Sequence, residues 1–230
     1  MDKNKELFNV LYADNIPSTA YNLFIERVVD KKINIIQHND RDSKIDLIIF
    51  TGGEDVSPEY YSERKGKYTS CNSTRDSIEK NIFDNKSYRT PKLGICRGAQ
   101  FLTVMNGGTL IQHVENHGNC THPITILDSL QDKIIVEIPS DHHQMMNPYY
   151  LPDSYYEIIG YSTFFRSGVY LNGDDINHKL KPTFLEPEIV YYPRTSSLAI
   201  QPHPEWMDYE SKDFKIIKNL IIKKLLNNTK

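Results

Sequence analysis

One stretch, LGICRGAQ at residues 93–100, places a single cysteine between two glycines. It lies where an apolar segment predicted as a strand, residues 91–95, meets a predicted helix, residues 98–105. Glycine on both sides of Cys96 indicates a sharp turn at which neighbouring backbone approaches closely. The start of a helix favours a thiolate, because its amide groups and macrodipole carry partial positive charge. The stretch therefore predicts a nucleophile elbow with Cys96 as the nucleophile, rather than a cysteine that only fills a gap in the core.

Strands and helices alternate through the first half of the chain. Residues 7–12, 33–37, 45–50 and 91–95 are predicted strands, and residues 18–30 and 74–88 are predicted helices, the second capped by Ser73 or Thr74. The stretch 45–50 is apolar almost without a break, which is typical of a strand covered by helices on both faces. This order predicts an α/β fold with a mostly parallel central sheet, whose functional groups gather at the carboxyl ends of the strands.

Shorter strands and turn residues dominate the second half. The predicted strands are residues 109–113, 124–127, 133–138, 156–161, 189–192 and 197–201. We expect them to form an antiparallel extension of the sheet, and we expect residues 214–226 to form an amphipathic helix that packs on it. Because no linker interrupts the pattern, residues 1–230 are expected to form a single catalytic domain.

The composition favours a small-molecule partner. The 230 residues include 27 Lys and Arg against 30 Asp and Glu, a net charge of −3. No dense basic stripe is present, so we expect neither nucleic acid nor a membrane as partner. Three cysteines at irregular spacing predict no disulfide framework and are typical of a reducing compartment. Without a secretory signal pattern or an apolar run of membrane-spanning length, the expected location is the cytoplasm.

The segment QPHPE at residues 201–205 offers the base that a cysteine nucleophile needs. A proline disfavours helix at the residue before it, so we expect His203 to be extended between its two neighbouring prolines. Alternate side chains of an extended segment project to the same side, which brings the Glu205 carboxylate to the His203 imidazole. The carboxylate would fix the tautomer of the ring and stabilise its charged form. Cys96, His203 and Glu205 are therefore the predicted catalytic residues.

An attacked carbonyl also needs donors for the charge that develops on its oxygen. We expect the backbone amides of Gly53 and Arg97 to form this oxyanion hole, because one lies in a glycine loop after a strand and the other follows the nucleophile. The Gly52-Gly53 pair also has a plainer interpretation, an ordinary turn at the end of a strand.

Four segments together carry a family resemblance: GGEDVSP at residues 52–58, GICRGAQ with NGGTL at 94–110, SDHHQ at 140–144 and QPHPE at 201–205. Their order is that of class I glutamine amidotransferase-like proteins, and over residues 45–210 the chain resembles most the γ-glutamyl-γ-aminobutyrate hydrolase family (γ-glutamyl hydrolases, peptidase C26). The resemblance implies a flavodoxin-like three-layer α/β/α sandwich. It also implies the Cys96–His203–Glu205 triad and a glutamyl pocket that includes Gln100, Asp141 and His142.

The activity implied by this resemblance is hydrolysis of a γ-glutamyl amide, with release of glutamate through a glutamyl thioester and without a cofactor. Three alternatives remain open. The chain could be a glutaminase subunit that delivers ammonia to a separate synthetase, or a hydrolase of a γ-glutamyl phosphoramidate nucleotide in surface-polysaccharide biosynthesis. It could also be a catalytically inactive binding module. A homodimer or a separate synthetase chain is left open as the protein partner.

Other polar clusters have plainer interpretations. Metal ligation is a hypothesis for His113, His117, Cys120 and His122, which offer nitrogen and sulfur ligands within ten residues. Their spacing matches no standard zinc pattern, so the sequence favours no metal site. Arg75 and Asp76 are interpreted as an ordinary charged first turn of a helix, although related chains carry a similar pair.

Overall fold

The computed structural model describes residues 7–127 and 132–227. Its first half alternates strands and helices, as the sequence predicts. The elements are β1 (Phe8–Tyr12), α1 (Thr19–Val29), β2 (Ile33–Ile36), β3 (Leu47–Phe50), α2 (Ser73–Asn85), β4 (Lys92–Ile95) and α3 (Arg97–Met105). The predicted cap of α2 is wrong: the helix is capped by Asn72, whose side chain accepts a hydrogen bond from the Arg75 amide at 3.2 Å.

The second half consists mainly of short strands. They are β5 (Thr109–Ile111), β6 (His113–Val114), β7 (Cys120–Leu127), β8 (Lys133–Ser140), β9 (Met145–Asn147), β10 (Glu157–Ser162), β11 (Tyr170–Leu171), β12 (Pro187–Tyr192) and β13 (Ser197–Ile200). Helix α4 (Lys212–Ile221) follows and continues as a π-helical turn over Ile222–Leu226. Short 3₁₀ turns lie at Pro58–Tyr61, Asp153–Tyr155, Pro193–Thr195 and Pro204–Trp206.

Nine of the described strands form one sheet in the order β2-β1-β3-β4-β13-β12-β10-β7-β8. The five strands from β2 to β13 are parallel to one another. The remaining four strands run antiparallel and extend the sheet from β13 outward. This arrangement confirms the predicted mostly parallel sheet with an antiparallel extension.

The stretch predicted as a strand over residues 109–113 lies outside this sheet, so that part of the prediction is wrong. Strand β5 pairs with β9, and β6 pairs with β11, in two separate two-stranded sheets. Between them the Gln112 side chain accepts hydrogen bonds from the Gly66 amide and the Thr69 hydroxyl, both at 2.9 Å. These bonds hold the stretch against residues 66–69 instead of the central sheet.

Helices cover both faces of the parallel strands. Alternate strand residues such as Val10 and Leu11 point to opposite faces and belong to different apolar clusters. Helices α1 and α4 pack on the first face, and α2 and α3 pack on the second. Burying each large apolar side chain contributes about 1.5–3 kcal/mol, which explains why this alternation selects a three-layer arrangement. None of the helices within the described residues is long and apolar enough to cross a membrane.

Candidate active site

Cys96 lies at a tight turn between β4 and α3. Its backbone has φ of 52° and ψ of −112°, a conformation that side-chain-bearing residues rarely adopt. The turn requires glycine on both sides of Cys96, because neighbouring backbone lies too close for a side chain there. A Cβ on Gly94 would lie 2.4 Å from the Gly98 carbonyl oxygen, and a Cβ on Gly98 would lie 2.0 Å from the Phe50 carbonyl oxygen. The turn therefore holds the Cys96 side chain above the carboxyl edge of the sheet, at the start of α3.

His203 and Glu205 follow the neighbouring strand β13. The Nδ1 atom of His203 lies 2.7 Å from Oε1 of Glu205. Gly52 packs between the imidazole and the nucleophile, since a Cβ added there would lie 3.6 Å from Cε1 of His203 and 3.8 Å from Cβ of Cys96. The structure therefore brings the three residues of the predicted triad together.

The charge state of His203 reflects a competition between burial and its two neighbours. Burial lowers the pKa of the imidazole, whereas the hydrogen bonds with Cys96 and Glu205 and the charges of both groups raise it. The neighbours outweigh burial and raise the pKa of His203 to about 10. The raised pKa favours the charged form of the His203 ring beside the Glu205 carboxylate.

The route from His203 to Glu205 differs from the extended segment that the sequence predicts. His203 precedes a 3₁₀ turn, Pro204–Trp206, in which Glu205 lies. Proline suits the first position of such a turn because its φ is already close to the helical value and its missing amide hydrogen needs no partner there. The 3₁₀ turn therefore places the Glu205 carboxylate next to the His203 imidazole. The same turn stacks the Trp206 indole on the imidazole, with ring centroids 3.7 Å apart and planes 3° apart.

The glycine loop after β3 is held by Arg75, a role that its interpretation as an ordinary helix turn missed. Its guanidinium donates to the carbonyl oxygens of Thr51 and Gly52 at 3.0 and 2.9 Å. Ion pairs with Glu79 at 2.9 Å and Asp14 at 3.3 Å hold the guanidinium in turn. Because both carbonyls point toward Arg75, the orientation of the following Gly53 peptide is set by this contact.

Arg97 has a buried side chain whose polar atoms point away from Cys96. Its guanidinium pairs with Asp76 and Glu79 of α2 and donates to the Glu54 carbonyl oxygen at 3.1 Å. Asp76 therefore also does more than begin a helix, because it anchors the residue that follows the nucleophile. Only the backbone amide of Arg97, at the first turn of α3, stands beside Cys96. Distance along the sequence hid these ion pairs from sequence reasoning.

A cleft of about 170 Å³ opens beside Cys96. Its lining is mostly polar: Gly53, Glu54, Asp55, Ser70, Cys96, Arg97, Gln100, Asp141, His142, His143 and Gln144. The Cys96 thiol is positioned to donate to the Asp141 carbonyl oxygen at 3.7 Å. Gln100 donates through Nε2 to the Gln144 carbonyl oxygen at 3.0 Å, while its Oε1 is buried without a partner among the described residues. The sequence-predicted residues Gln100 and Asp141 therefore both border the cleft.

His142 borders the cleft too, but its ring nitrogens face protein. Nδ1 lies 2.8 Å from the Gln144 carbonyl oxygen, and Nε2 lies 3.9 Å from a carboxylate oxygen of Glu188. The neighbouring His143, which the family resemblance also makes a pocket residue, lines the cleft with a half-exposed ring. Nε2 of His143 lies 3.2 Å from Oδ1 of Asp55, and this hydrogen bond raises the pKa of the imidazole.

The four residues that the sequence offers as metal ligands, His113, His117, Cys120 and His122, do not lie together in the structure. His113 stacks on Tyr68, with ring centroids 3.9 Å apart. Cys120 lies with its thiol 3.8 Å from the Asn116 carbonyl oxygen. His117 and His122 instead turn inward, each with a nitrogen 3.5 Å from Oε1 of Glu188.

Comparison with known sequences identifies related proteins. A family model described as Peptidase C26 matches residues 34–151. "Putative glutamine amidotransferase PB2B2.05" of Schizosaccharomyces pombe is 41% identical over 86 residues, which are 36% of this chain and 34% of that protein. "Putative glutamine amidotransferase-like protein YvdE" of Lactococcus lactis is 33% identical over 132 residues, 55% of this chain and 52% of that protein. The chain thus matches about half of these relatives' length or less.

Solved structures share the fold across nearly the whole chain. PurLQS from Thermotoga maritima superposes with a TM-score of 0.58 at 14% identity, covering 96% of this chain and 98% of that one. A glutamine amidotransferase from the same organism superposes with a TM-score of 0.54 at 14% identity, covering 96% and 90%. The predicted flavodoxin-like class I glutamine amidotransferase fold is confirmed. These sequence relatives are named as glutamine amidotransferases or as glutamine amidotransferase-like proteins.

Proposed function

The chain belongs to the peptidase C26 family, and on this premise we propose that it is a cysteine-dependent hydrolase of γ-glutamyl amides. One observation carries the proposal. Cys96 and the His203–Glu205 pair, which are more than a hundred positions apart in sequence, lie together beside one small polar cleft that Cys96 lines. A nucleophile, a base and an orienting carboxylate in this order are the arrangement that acyl transfer requires.

In the proposed reaction the Cys96 thiolate attacks the γ-carbonyl carbon of the substrate. The backbone amides of Gly53 and Arg97 stabilise the oxyanion, and loss of one such donor would cost about 100- to 1,000-fold in rate. The His203 imidazolium then protonates the departing nitrogen, and the C–N bond breaks to leave a glutamyl thioester. Neutral His203 next removes a proton from water, whose attack on the thioester releases glutamate and regenerates the thiolate.

The cleft supports a small, polar acyl group. Its volume of about 170 Å³ is below the roughly 300–1,000 Å³ of pockets that enclose drug-sized ligands. The unpartnered Oε1 of Gln100 is an acceptor for an ammonium group. The His143 imidazole, whose pKa is raised by Asp55, offers positive charge to a carboxylate. Gln100, Asp141 and the backbone at His142 are proposed to hold the amino-acid end of the glutamyl group.

Replacement of the nucleophile tests the proposal. Cys96→Ala should lower the release of glutamate from γ-glutamyl amides by about 10,000-fold or more, because no other group can form the thioester. Cys71→Ala is the matched control, since Cys71 is also a free, partly buried cysteine but lies outside the cleft lining. Enzymatic glutamate assays and circular dichroism measure both. A Cys96→Ala variant with wild-type turnover would exclude the mechanism.

Glu205→Gln tests the orienting carboxylate separately. The amide keeps the shape of the side chain but cannot stabilise the imidazolium, so kcat should fall roughly 100- to 10,000-fold with a small change in KM. Asp208→Asn, an acidic residue three positions away, is the control. Equal kcat values for Glu205→Gln and wild type would contradict the assigned role.

A screen that compares γ-glutamyl amines with glutamine as substrates separates two versions of the activity. Hydrolysis of γ-glutamyl amines in preference to glutamine supports the stand-alone hydrolase. Several relatives are named as glutamine amidotransferases, which favours glutaminase coupled to a separate synthetase as the second candidate. Hydrolysis confined to glutamine, and stimulated by a co-purifying chain, would establish that candidate. A γ-glutamyl phosphoramidate nucleotide belongs in the same screen, since the triad would serve it equally.

A further inference from the structure

Behind the wall of the cleft, three histidines surround one glutamate. His117 precedes β7, His122 lies on β7, His142 follows β8 and Glu188 lies on β12. All four residues are at most 5% exposed. Burying a carboxylate is costly unless a cation or hydrogen-bond donors compensate its charge, so the cluster requires a partner.

The contacts between Glu188 and the three imidazoles are at or beyond the length of a hydrogen bond. Oε1 of Glu188 lies 3.5 Å from Nδ1 of His117 and 3.5 Å from Nε2 of His122. Oε2 of Glu188 lies 3.9 Å from Nε2 of His142. Two ligands of a tetrahedral metal at about 2.1 Å are separated by roughly 3.4 Å, so these contacts have the length expected across a coordination sphere. One ligand atom each from His117, His142 and Glu188 lies within 4.8 Å of the other two.

Six buried nitrogen and oxygen atoms in and around the cluster make no hydrogen bond within the described part of the chain. Both carboxylate oxygens of Glu188, both ring nitrogens of His117, and Nε2 of His122 and of His142 are buried without a hydrogen-bond partner among the described residues. Buried polar atoms are nearly always satisfied, so the five that face one another around Glu188 indicate a missing ligand, whereas Nε2 of His117 faces Glu186.

Neighbouring hydrogen-bond acceptors set the tautomer of each imidazole, and this tautomer leaves one nitrogen able to bind a metal. Nδ1 of His142 lies 2.8 Å from the Gln144 carbonyl oxygen and Nδ1 of His122 lies 3.4 Å from the Pro123 carbonyl oxygen. A proton on Nδ1 leaves the Nε2 lone pair directed at Glu188. Nε2 of His117 faces Glu186 at 3.5 Å, which leaves its Nδ1 for the cluster. A backbone carbonyl or carboxylate behind each ligating imidazole is the usual outer layer of a metal site.

We propose that His117, His142 and Glu188 bind one Zn²⁺ ion. Imidazole nitrogen and carboxylate oxygen are ligands that Zn²⁺ accepts in tetrahedral sites. The site reverses the expectation from the sequence that the chain holds no metal. Spacing had missed it because His142 and Glu188 lie far from the His117–His122 segment in sequence.

The ion would brace the wall of the cleft. His142 is followed by His143 and Gln144, which line the cleft, and preceded by Asp141, whose carbonyl oxygen faces the Cys96 thiol. Zinc would therefore tie this segment to β7 and β12 of the antiparallel extension. Glu186 acts as a positioning residue, because it orients His117 and is itself held by the amides of Arg166 and Ser167, both at 2.9 Å.

Metal analysis of the full chain tests the site. The protein is stripped with a chelator, given Zn²⁺, passed through gel filtration and analysed by elemental mass spectrometry, with one zinc per chain expected. Glu188→Gln, nearly equal in shape, should weaken zinc binding more than about 100-fold, and Glu186→Gln about 10- to 100-fold. His113→Gln is the matched control, because it removes an imidazole from the same stretch of sequence and should retain one zinc.

Two further outcomes decide the matter. Wild-type protein that retains no zinc, or a folded Glu188→Gln variant that binds zinc as tightly as wild type, would overturn the proposal. Should Glu188→Gln fail to fold, the absorption spectrum of wild-type protein loaded with Co²⁺ tests the site instead. Tetrahedral d–d absorption bands without a thiolate charge-transfer band support a nitrogen and oxygen site, whereas octahedral bands or a thiolate band would refute it.

Discussion

At the scale of single residues, the site is governed by charges that burial makes strong. Burial alone would favour a neutral His203, yet the Cys96 sulfur and the Glu205 carboxylate both adjoin its ring and reverse that preference. The stacked Trp206 indole shields the pair from water on one side. A fixed imidazolium beside a thiolate is the state from which the proposed reaction begins.

The raised pKa of His203 has a consequence for stability. The folded protein holds the proton up to a pH of about 10, whereas the unfolded chain releases it near the ordinary value of 6.5. The contribution of the charged ring is therefore fully present below pH 6.5 and is lost as pH rises toward 10. Urea unfolding measures the free energy of unfolding at pH 7 and at pH 10. The decrease between the two pH values should be larger in the wild type than in His203→Gln, by about 1 kcal/mol or more. Equal losses in the two proteins would contradict the ion pair.

At the scale of secondary-structure elements, the elbow depends on how closely α3 approaches β3. A methyl group on Gly98 would lie 2.0 Å from the Phe50 carbonyl oxygen, inside the backbone of the neighbouring strand. Gly98→Ala should therefore lower the free energy of unfolding by about 1–3 kcal/mol or more and disturb the Cys96 turn. Gly168→Ala is the control, because nothing lies within 4 Å of the added methyl group, and its stability should stay within about 0.5 kcal/mol of wild type. Thermal and urea denaturation measure both. Unchanged stability in Gly98→Ala would contradict this prediction, because it would mean that α3 can move away from β3 to accommodate the methyl group.

Most elements of the parallel half could be predicted because their apolar periodicity is strong and local. The elements that were missed are short and held by distant partners. Strand β9 has three residues and exists because it pairs with β5, and β11 has two residues and pairs with β6. The cap of α2 was placed wrongly because three adjacent polar residues, Asn72, Ser73 and Thr74, compete for that position. Local sequence cannot rank such candidates, since the outcome depends on the direction from which the chain enters the helix.

At the scale of the whole molecule, one sheet joins the parallel strands to the antiparallel extension. Strand β13 pairs with β4 on one side and with β12 on the other, so the segment before His203 connects both parts. We propose that the described residues fold as a single catalytic domain, as expected for residues 1–230.

A single domain should unfold in one transition. Far-ultraviolet circular dichroism follows the whole sheet, while fluorescence of Trp206, the one tryptophan in the sequence, follows the site beside His203. Both signals should give the same urea midpoint within error. Two separated midpoints would show that the antiparallel extension and the parallel half unfold independently.

The sequence by itself determined the strand and helix order of the parallel half, the glycine-flanked turn at Cys96 and the closeness of His203 and Glu205, because each depends on residues that are neighbours in sequence. Only the tertiary structure decided that Arg75 holds the glycine loop, that Arg97 is anchored by α2, and that the His142 ring turns away from the cleft toward Glu188. These contacts join residues between 18 and 46 positions apart. Electrostatic energy depends on distance in space, and local patterns do not contain that distance.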